Sequence, residues 1–353
     1  MITISARNVH DALPLTLHKL LNDPNVERQE SRNGPVLKFG SPCCIEYQRP
    51  YERVLFWPER DCNPFFHLME SLWMIAGRND VAFPEQYNSK FGQYSDNGKT
   101  FHGAYGHRWR HHFDVDQLSV IANALTENPE CRRQVLGMWD PTADLNVGGK
   151  DLPCNLAVTF QRNANNGSLN MTVFNRSNDI VWGALGANAV HFSFLLEYMA
   201  WRIGCTMGKY WQISANMHGY LGTIEPVKCL ADDDIGAWSN PYEDMPEVAA
   251  SGVKVFPIAS GTSLRDWNKD LERLLCTAPG DLLASEFCDA FFRLIAVPMA
   301  LAYNEFRNRE NPDRFARALA IVDTMIDNCD WKLACRQWLE RRQIKAEAKK
   351  GQD

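Results

Sequence analysis

Leu152-Pro153-Cys154-Asn155-Leu156-Ala157-Val158-Thr159-Phe160, then Asn163-Ala164-Asn165-Asn166-Gly167, then Leu169-Asn170-Met171-Thr172-Val173-Phe174 running into Asn175-Arg176-Ser177-Asn178-Asp179, is the stretch on which the reading of this chain turns. Two runs rich in Val, Thr and Phe flank an Asn/Gly turn, which predicts an antiparallel hairpin. Cys154 stands at its entrance, behind Val147-Gly148-Gly149-Lys150 and Pro153, and an arginine and a carboxylate stand at its exit. A thiolate at a strand edge can attack an electrophilic carbon, and guanidinium forks suit a phosphate. A cysteine more often only packs. Arginines in the same segment favour the reactive reading, because cationic neighbours depress a thiol pKa.

Working outward, the segment from Asn63 to Gly77 predicts a buried helix, with Asn63 as N-cap, Pro64 in the first turn and Gly77 as the stop. Glu70 is its one charged residue. A carboxylate on a helix that is apolar nearly all round either opens onto a polar cavity, where it can move protons, or pairs with a basic group. Arg132-Arg133 follows Asn128-Pro129-Glu130-Cys131 at a turn that feeds a strand. It reads as a phosphate fork or as an ordinary solvated pair.

Elsewhere helix and strand patterns interleave. A short helix is expected over Asp11–Leu21 with Pro14 in its first turn, and strands over Val36–Phe39, Arg53–Trp57 and, after an acidic loop from Ala231 to Glu247, Val253–Ile258. Ala189–Ile203, stopped by Gly204, predicts a long central helix. Beyond Pro279 helices are expected over Leu282–Tyr303, kinked at Pro298, over Asp313–Ile326 and over Trp331–Ala348, with the tail after Arg341 solvated and fraying.

Composition narrows the function. With 353 residues, 45% apolar and 23% charged, the chain can bury a large core. A net charge of -6 opposes a nucleic-acid-coating surface, so a bound phosphate must meet a local arginine cluster. Eleven cysteines, an odd number with none spaced C-x-x-C, oppose both a disulfide framework and a zinc knuckle. The N-terminus lacks a signal pattern, and no uncharged run has the length of a membrane span, so cytoplasmic residence is expected. His107 and His111 lie four apart beside His102 and His112. Without an H-E-x-x-H pattern or a carboxylate among them they read as packing residues, and no metal is expected. Walker and dinucleotide loops are absent, which removes triphosphate hydrolysis and nicotinamide chemistry.

Taken in order, from about Arg32 to Tyr220, these segments resemble the thymidylate synthase superfamily. Glu70-Ser71-Leu72-Trp73-Met74-Ile75-Ala76-Gly77 looks like its general acid/base helix. Gly103-Ala104-Tyr105-Gly106-His107-Arg108-Trp109-Arg110 is similar to its G-x-x-Y-G-x-x-W-R segment, one residue shorter before the tyrosine. The resemblance implies an α/β (α+β) fold, a mixed sheet packed by helices. It implies a catalytic unit over residues 1–278 and a C-terminal helical extension over 279–353. It makes Cys154 the nucleophile and gives Glu70 and Tyr105 the deprotonation. Arg32, Arg176 and Ser177 would hold a phosphate, joined by Arg132 and Arg133 crossing the interface of a homodimer. Asp179 would meet a folate, His218 and Tyr220 a sugar hydroxyl, and Asn188 the edge of a pyrimidine, with Ala187 in the alternative register.

The departures carry equal weight. Asn155 stands where thymidylate synthases usually place His after the nucleophile. Relatives that make 5-hydroxymethyl pyrimidine nucleotides depart there too, and share a run like Arg176-Ser177-Asn178-Asp179. Phe91 and Tyr94 replace the usual tryptophans, Asn216 an aspartate, and the extension the short apolar C-terminus. The implied co-substrate is 5,10-methylenetetrahydrofolate and the substrate a pyrimidine nucleoside monophosphate, dUMP first. Cys154, Glu70, Tyr105 and Asn155 form the catalytic set and a 5-hydroxymethyl nucleotide is the product. Thymidylate synthesis and hydroxymethylation of dCMP or CMP are the alternatives. A nucleotide-binding regulator without chemistry is opposed by the presence of both Cys154 and Glu70.

Overall fold

A computed structural model describes residues 1–232, 240–243 and 252–350, so most of the acidic loop and Gly351–Asp353 lie outside the described residues. The strands are β1 (Ile2–Ala6), β2 (Glu27–Gln29), β3 (Val36–Lys38), β4 (Cys43–Tyr47), β5 (Val135–Gly137), β6 (Asn155–Arg162), β7 (Leu169–Asn175), β8 (Asn178–Asp179), β9 (Met207–Ser214) and β10 (Met217–Tyr220). Six form a mixed sheet in the order β1-β4-β9-β7-β6-β5, and four form a smaller sheet in the order β2-β3-β10-β8. The expected hairpin is β6 and β7, antiparallel, with Asn155 opposite Asn175 and a bulge before Ala157. β7 then runs parallel to β9. This is the mixed sheet packed by helices that the sequence led one to expect.

Two helices fill the centre. Pro64–Ile75 is capped by the Asn63 side chain, which accepts from Phe66 N at 3.2 Å, and every one of its residues is buried. Asn188–Ile203 ends at Gly204, whose φ of 75° is the left-handed turn that glycine adopts without strain. It is entered through a π-helical stretch, Ile180–Ala187, that loses helical geometry at Leu185 and Gly186. Together Ile180–Ile203 has the length and hydropathy of a membrane span, yet 78% of that window is buried inside the fold. It is a core helix.

Several expectations are corrected. The first helix spans Val9–Asn22, so Pro14 lies in its second turn rather than its first. The carbonyl of His10, which Pro14 cannot reach with an N–H, accepts from the Trp57 indole at 2.7 Å instead. That explains the second correction. Arg53–Trp57 is buried but is no strand, because its amides are taken by side chains: Val54 N donates to Tyr242 Oη and Phe56 N to His10 Nδ1. Val253–Ile258 is likewise irregular, with Ile258 N donating to Glu197. The first C-terminal helix runs unbroken through the π-helical Phe292–Ala296 into Val297–Arg307, and the widened turn lies directly ahead of Pro298, whose missing N–H it accommodates. The stretch after Arg341 is no fraying tail: the last helix runs Asp330–Lys350, and Arg341, Arg342 and Lys345 all reach Asp61.

The helices beyond Pro279 pack on the same hydrophobic core as the sheets, through residues such as Phe291, Met299, Trp331 and Leu339. One close approach in that core brings catalytic candidates together. Helix Tyr105–Arg110 lies so near Pro64–Ile75 that a Cβ on Gly106 would stand 2.0 Å from the Met74 carbonyl oxygen. Helix propensity alone predicts that Gly106→Ala gains about 1 kcal/mol. The clash with backbone should reverse that sign, giving a loss of roughly 1–3 kcal/mol in urea unfolding; a stabilised variant would show that the helices can separate freely.

Candidate active site

An open cleft of about 1180 Å³ gathers residues that are remote in sequence. Arg32 comes from the turn between β2 and β3, Glu70 from the buried helix, Tyr105 from the short helix beside it, and Cys154 from the entrance of β6. Arg176, Ser177 and Asp179 follow from the exit of β7 and from β8, Asn188 from the start of the central helix, and His218 and Tyr220 from β10.

The thiol owes its neighbours to strand register. Because Asn155 pairs with Asn175 in an antiparallel ladder, Cys154 falls opposite Arg176, and Arg176 N donates to the Cys154 carbonyl at 2.9 Å. The Arg176 guanidinium is pinned to the loop that precedes the thiol, with Nε on Pro153 O at 3.0 Å. Arg32 is held against the same loop, Nη1 on Gly149 O at 2.6 Å. The electrostatic outcome differs from the simple expectation. Burial raises the Cys154 pKa and outweighs Arg176 and Arg32, which pull it down. The thiol is therefore largely protonated at neutral pH. Tyr105 is buried beside it with its pKa raised by burial, its hydroxyl approached by the backbone of Cys154 and Asn155.

Glu70 is 7% exposed, and its Oε2 lies 3.1 Å from His191 Nε2 outside hydrogen-bond geometry, so neither atom has a hydrogen-bond partner. His67, on the same helix one turn earlier, also lines the cleft, and burial holds its pKa well below the usual imidazole value. Asp179 caps the π-helical stretch by accepting from Trp182 N at 2.5 Å, while its Oδ1 is buried without a partner. Burial raises its pKa. His218 pairs across β10 and β8 with Asp179 and holds Asn216 Oδ1 at 3.0 Å through Nδ1.

A buried relay of amides orients Asn188. Its Nδ2 donates to Asn178 Oδ1 at 3.1 Å; Asn178 Nδ2 donates to Gln212 Oε1 at 2.7 Å; Gln212 Nε2 donates to Ala184 O at 3.0 Å and to Tyr47 Oη at 3.2 Å. The last acceptor is a backbone carbonyl, which can only accept. Every amide upstream is thereby locked in one sense, and Asn188, which lines the cleft, cannot turn over without breaking the relay. Sequence reading singled out Asn188 and missed Asn178 and Gln212 as its support. Two uncharged amides inside strands were the only signal.

Not every candidate is brought to the cleft. Asn155 is fully buried between β6 and β7, its Nδ2 shared by Phe174 O and Asn175 Oδ1. Arg132 and Arg133 are exposed ahead of the edge strand β5 and do not line the cleft. Ala187 lines it next to Asn188, but the amide falls to Asn188. The histidines are bound elsewhere: His102 and Arg108 meet the buried Asp144, and His112 meets Asp140. Among the described residues no cluster of His, Cys, Asp and Glu suits a metal ion.

A family profile described as Thymidylate synthase matches residues 60–236. A deoxyuridylate hydroxymethyltransferase of Pseudomonas phage M6 is 50% identical over 351 residues, 99% of this chain and 97% of that protein. One of Bacillus phage SP01 is 40% identical over 199 residues, 53% of this chain and 51% of that one. A putative thymidylate synthase of Methanothermobacter marburgensis is 35% identical over 144 residues, 41% of this chain and 61% of that one.

The balance at the thiol is testable without any substrate. Alkylation of Cys154 by iodoacetamide should quicken as pH rises through 7 to 9, a range set by ordinary thiol chemistry. Arg176→Gln should slow it severalfold at fixed pH, since the lost charge pulls the pKa down. An unchanged rate would show that Arg176 does not act on the sulfur.

Proposed function

The chain belongs to the thymidylate synthase family, and on that premise we propose that it transfers the one-carbon unit of 5,10-methylenetetrahydrofolate to C5 of dUMP and releases 5-hydroxymethyl-dUMP. The observation that carries this reading is one cleft lined at once by a nucleophile, a buried carboxylate and an amide of fixed orientation, Cys154, Glu70 and Asn188. Support comes from the Pseudomonas phage M6 relative, a deoxyuridylate hydroxymethyltransferase by name and alike over nearly its whole length.

Each side chain then has a task. The Cys154 thiolate adds to C6 of the ring, and the displaced electron pair makes C5 a carbon nucleophile. Nucleotide phosphate held by Arg32, Arg176 and Ser177 orients the base over the sulfur. Glu70, with Tyr105, removes the C5 proton once the new carbon is attached, and the freed electron pair breaks the bond from that carbon to the folate nitrogen, so that tetrahydrofolate departs and an exocyclic methylene remains. Water adds to the exocyclic carbon, and the returning electron pair releases Cys154 from C6. No hydride moves, so dihydrofolate is not formed. Asn155 serves as a positioning residue that ties β6 to β7 beneath the thiol. His218 and Tyr220 take the sugar hydroxyl.

The locked amide supports uracil. Uracil offers an N–H at N3 and an acceptor at O4, whereas cytosine reverses that order, so an amide that cannot turn over distinguishes them. Asp179 and the half-exposed Trp182 suit the folate: an unpartnered buried carboxylate oxygen beside a flat apolar surface fits an aminopyrimidine ring. When bound, the folate supplies the carbon at the oxidation level of formaldehyde. Arg132 and Arg133, away from the cleft of their own chain, would meet the phosphate of a second copy in a homodimer. The catalytic unit spans 1–278, the extension 279–353, and the enzyme acts in the cytoplasm.

Incubation with methylenetetrahydrofolate and, separately, dUMP, dCMP and CMP should yield a hydroxymethyl product from dUMP without dihydrofolate absorbance. A methyl product with dihydrofolate would make the chain a thymidylate synthase. Cys154→Ala should lose turnover yet bind dUMP, and persisting turnover would sink the covalent route. Gln212→Leu should lower the preference for dUMP over dCMP roughly fivefold to tenfold, the worth of about one hydrogen bond. An unchanged ratio of kcat/KM values would remove the relay from base selection.

A further inference from the structure

The C-terminal helices lend the cleft a wall that the nucleotide does not require. Tyr303 and Phe306 of helix Val297–Arg307, and Trp338 and Arg342 of helix Asp330–Lys350, line the same cavity as Cys154. Phosphate, sugar and base already have partners on the sheets and the central helix, so this wall faces some other part of what the cleft holds.

Its chemistry is that of a ring-binding surface. Phe306 meets Trp338 edge to face, with centroids 5.1 Å apart, and Tyr303 lies 6.1 Å from the same indole. The Arg342 guanidinium covers the Trp338 ring at 4.4 Å. Two features go beyond packing. The Trp338 indole N–H is buried with no partner, although a buried tryptophan usually finds an acceptor. Arg342 is also not required to neutralise Asp61, since Arg341 and Lys345 hold the same carboxylate at 3.2 Å and 3.1 Å. Its remaining N–H donors can therefore serve a ligand.

We propose that this wall is the binding surface for the part of the co-substrate beyond its aminopyrimidine ring: Trp338 and Phe306 receive the aminobenzoyl ring of the folate, and Arg342 its carboxylate-bearing end. The proposal rests on the folate-dependent reading above. It gives the helices beyond Pro279 a task at the cleft.

The test is equilibrium binding by calorimetry on the full chain. Tetrahydrofolate is titrated into the dUMP-saturated protein, and dUMP into the free protein, for wild type, Trp338→Phe and Arg342→Gln. Trp338→Phe keeps a ring and removes the N–H, and Arg342→Gln leaves Asp61 paired, so both variants should fold. Each should weaken tetrahydrofolate about tenfold and leave dUMP affinity unchanged. Unchanged tetrahydrofolate affinity in both variants would overturn the proposal, and so would an equal loss for dUMP, which would make the wall structural. A wild type that shows this pattern but yields a methyl product would leave the wall standing and remove the hydroxymethyl reading instead.

Discussion

Everything at the site hangs on the register of one hairpin. With Asn155 opposite Asn175, Cys154 faces Arg176 and the chain leaves β7 toward Ser177 and β8. β8 is at the same time a strand of the smaller sheet, where Asp179 pairs with His218. A slip by one residue would turn every side chain of β6 to the opposite face and part the thiol from its arginine. The bulge before Ala157 and the parallel pairing of β7 with β9 leave that slip no alternative partner. A single ladder thus couples Cys154 to Arg176 and Ser177 and, through β8, to His218, all of which line the cleft.

Around that ladder the interior is wired with polar groups that have one arrangement each. Arg108 and Asp144 form a fully buried bidentate pair that fastens the Tyr105 helix to the loop after β5. The amide relay from Asn188 to Ala184 does the same for the start of the central helix. Such groups add little net stability, because desolvation cancels most of what the hydrogen bonds return. What they supply is orientation. Among the buried side-chain polar atoms left without partners, three belong to cleft residues: Glu70 Oε2, Asp179 Oδ1 and Trp338 Nε1.

The pieces of this arrangement that obey local rules could be read in advance. The Glu70 helix was legible from Asn63, Pro64 and Gly77, because capping chemistry acts within a few residues. The hairpin was legible from its alternating apolar runs. The thiol's ionisation was misread: arginines nearby in sequence argued for a thiolate, while burial, which depends on how the cleft is walled, outweighs them. Arg53–Trp57 was misread as a strand because its partners, His10 and Tyr242, come from elsewhere in the chain.

Sequence alone therefore determined the family, the cysteine at the hairpin entrance, the lone carboxylate and the hairpin, all features encoded by residue type over short spacings. Tertiary structure alone decided which residues share the cleft. It turned Asn155 inward, left Arg132 and Arg133 outside, locked Asn188 through Asn178 and Gln212, and laid Trp338 and Arg342 along the wall opposite the sheets' own contributions. The physical reason is that hydrogen-bond direction and desolvation belong to three-dimensional neighbours, which spacing along a chain does not specify.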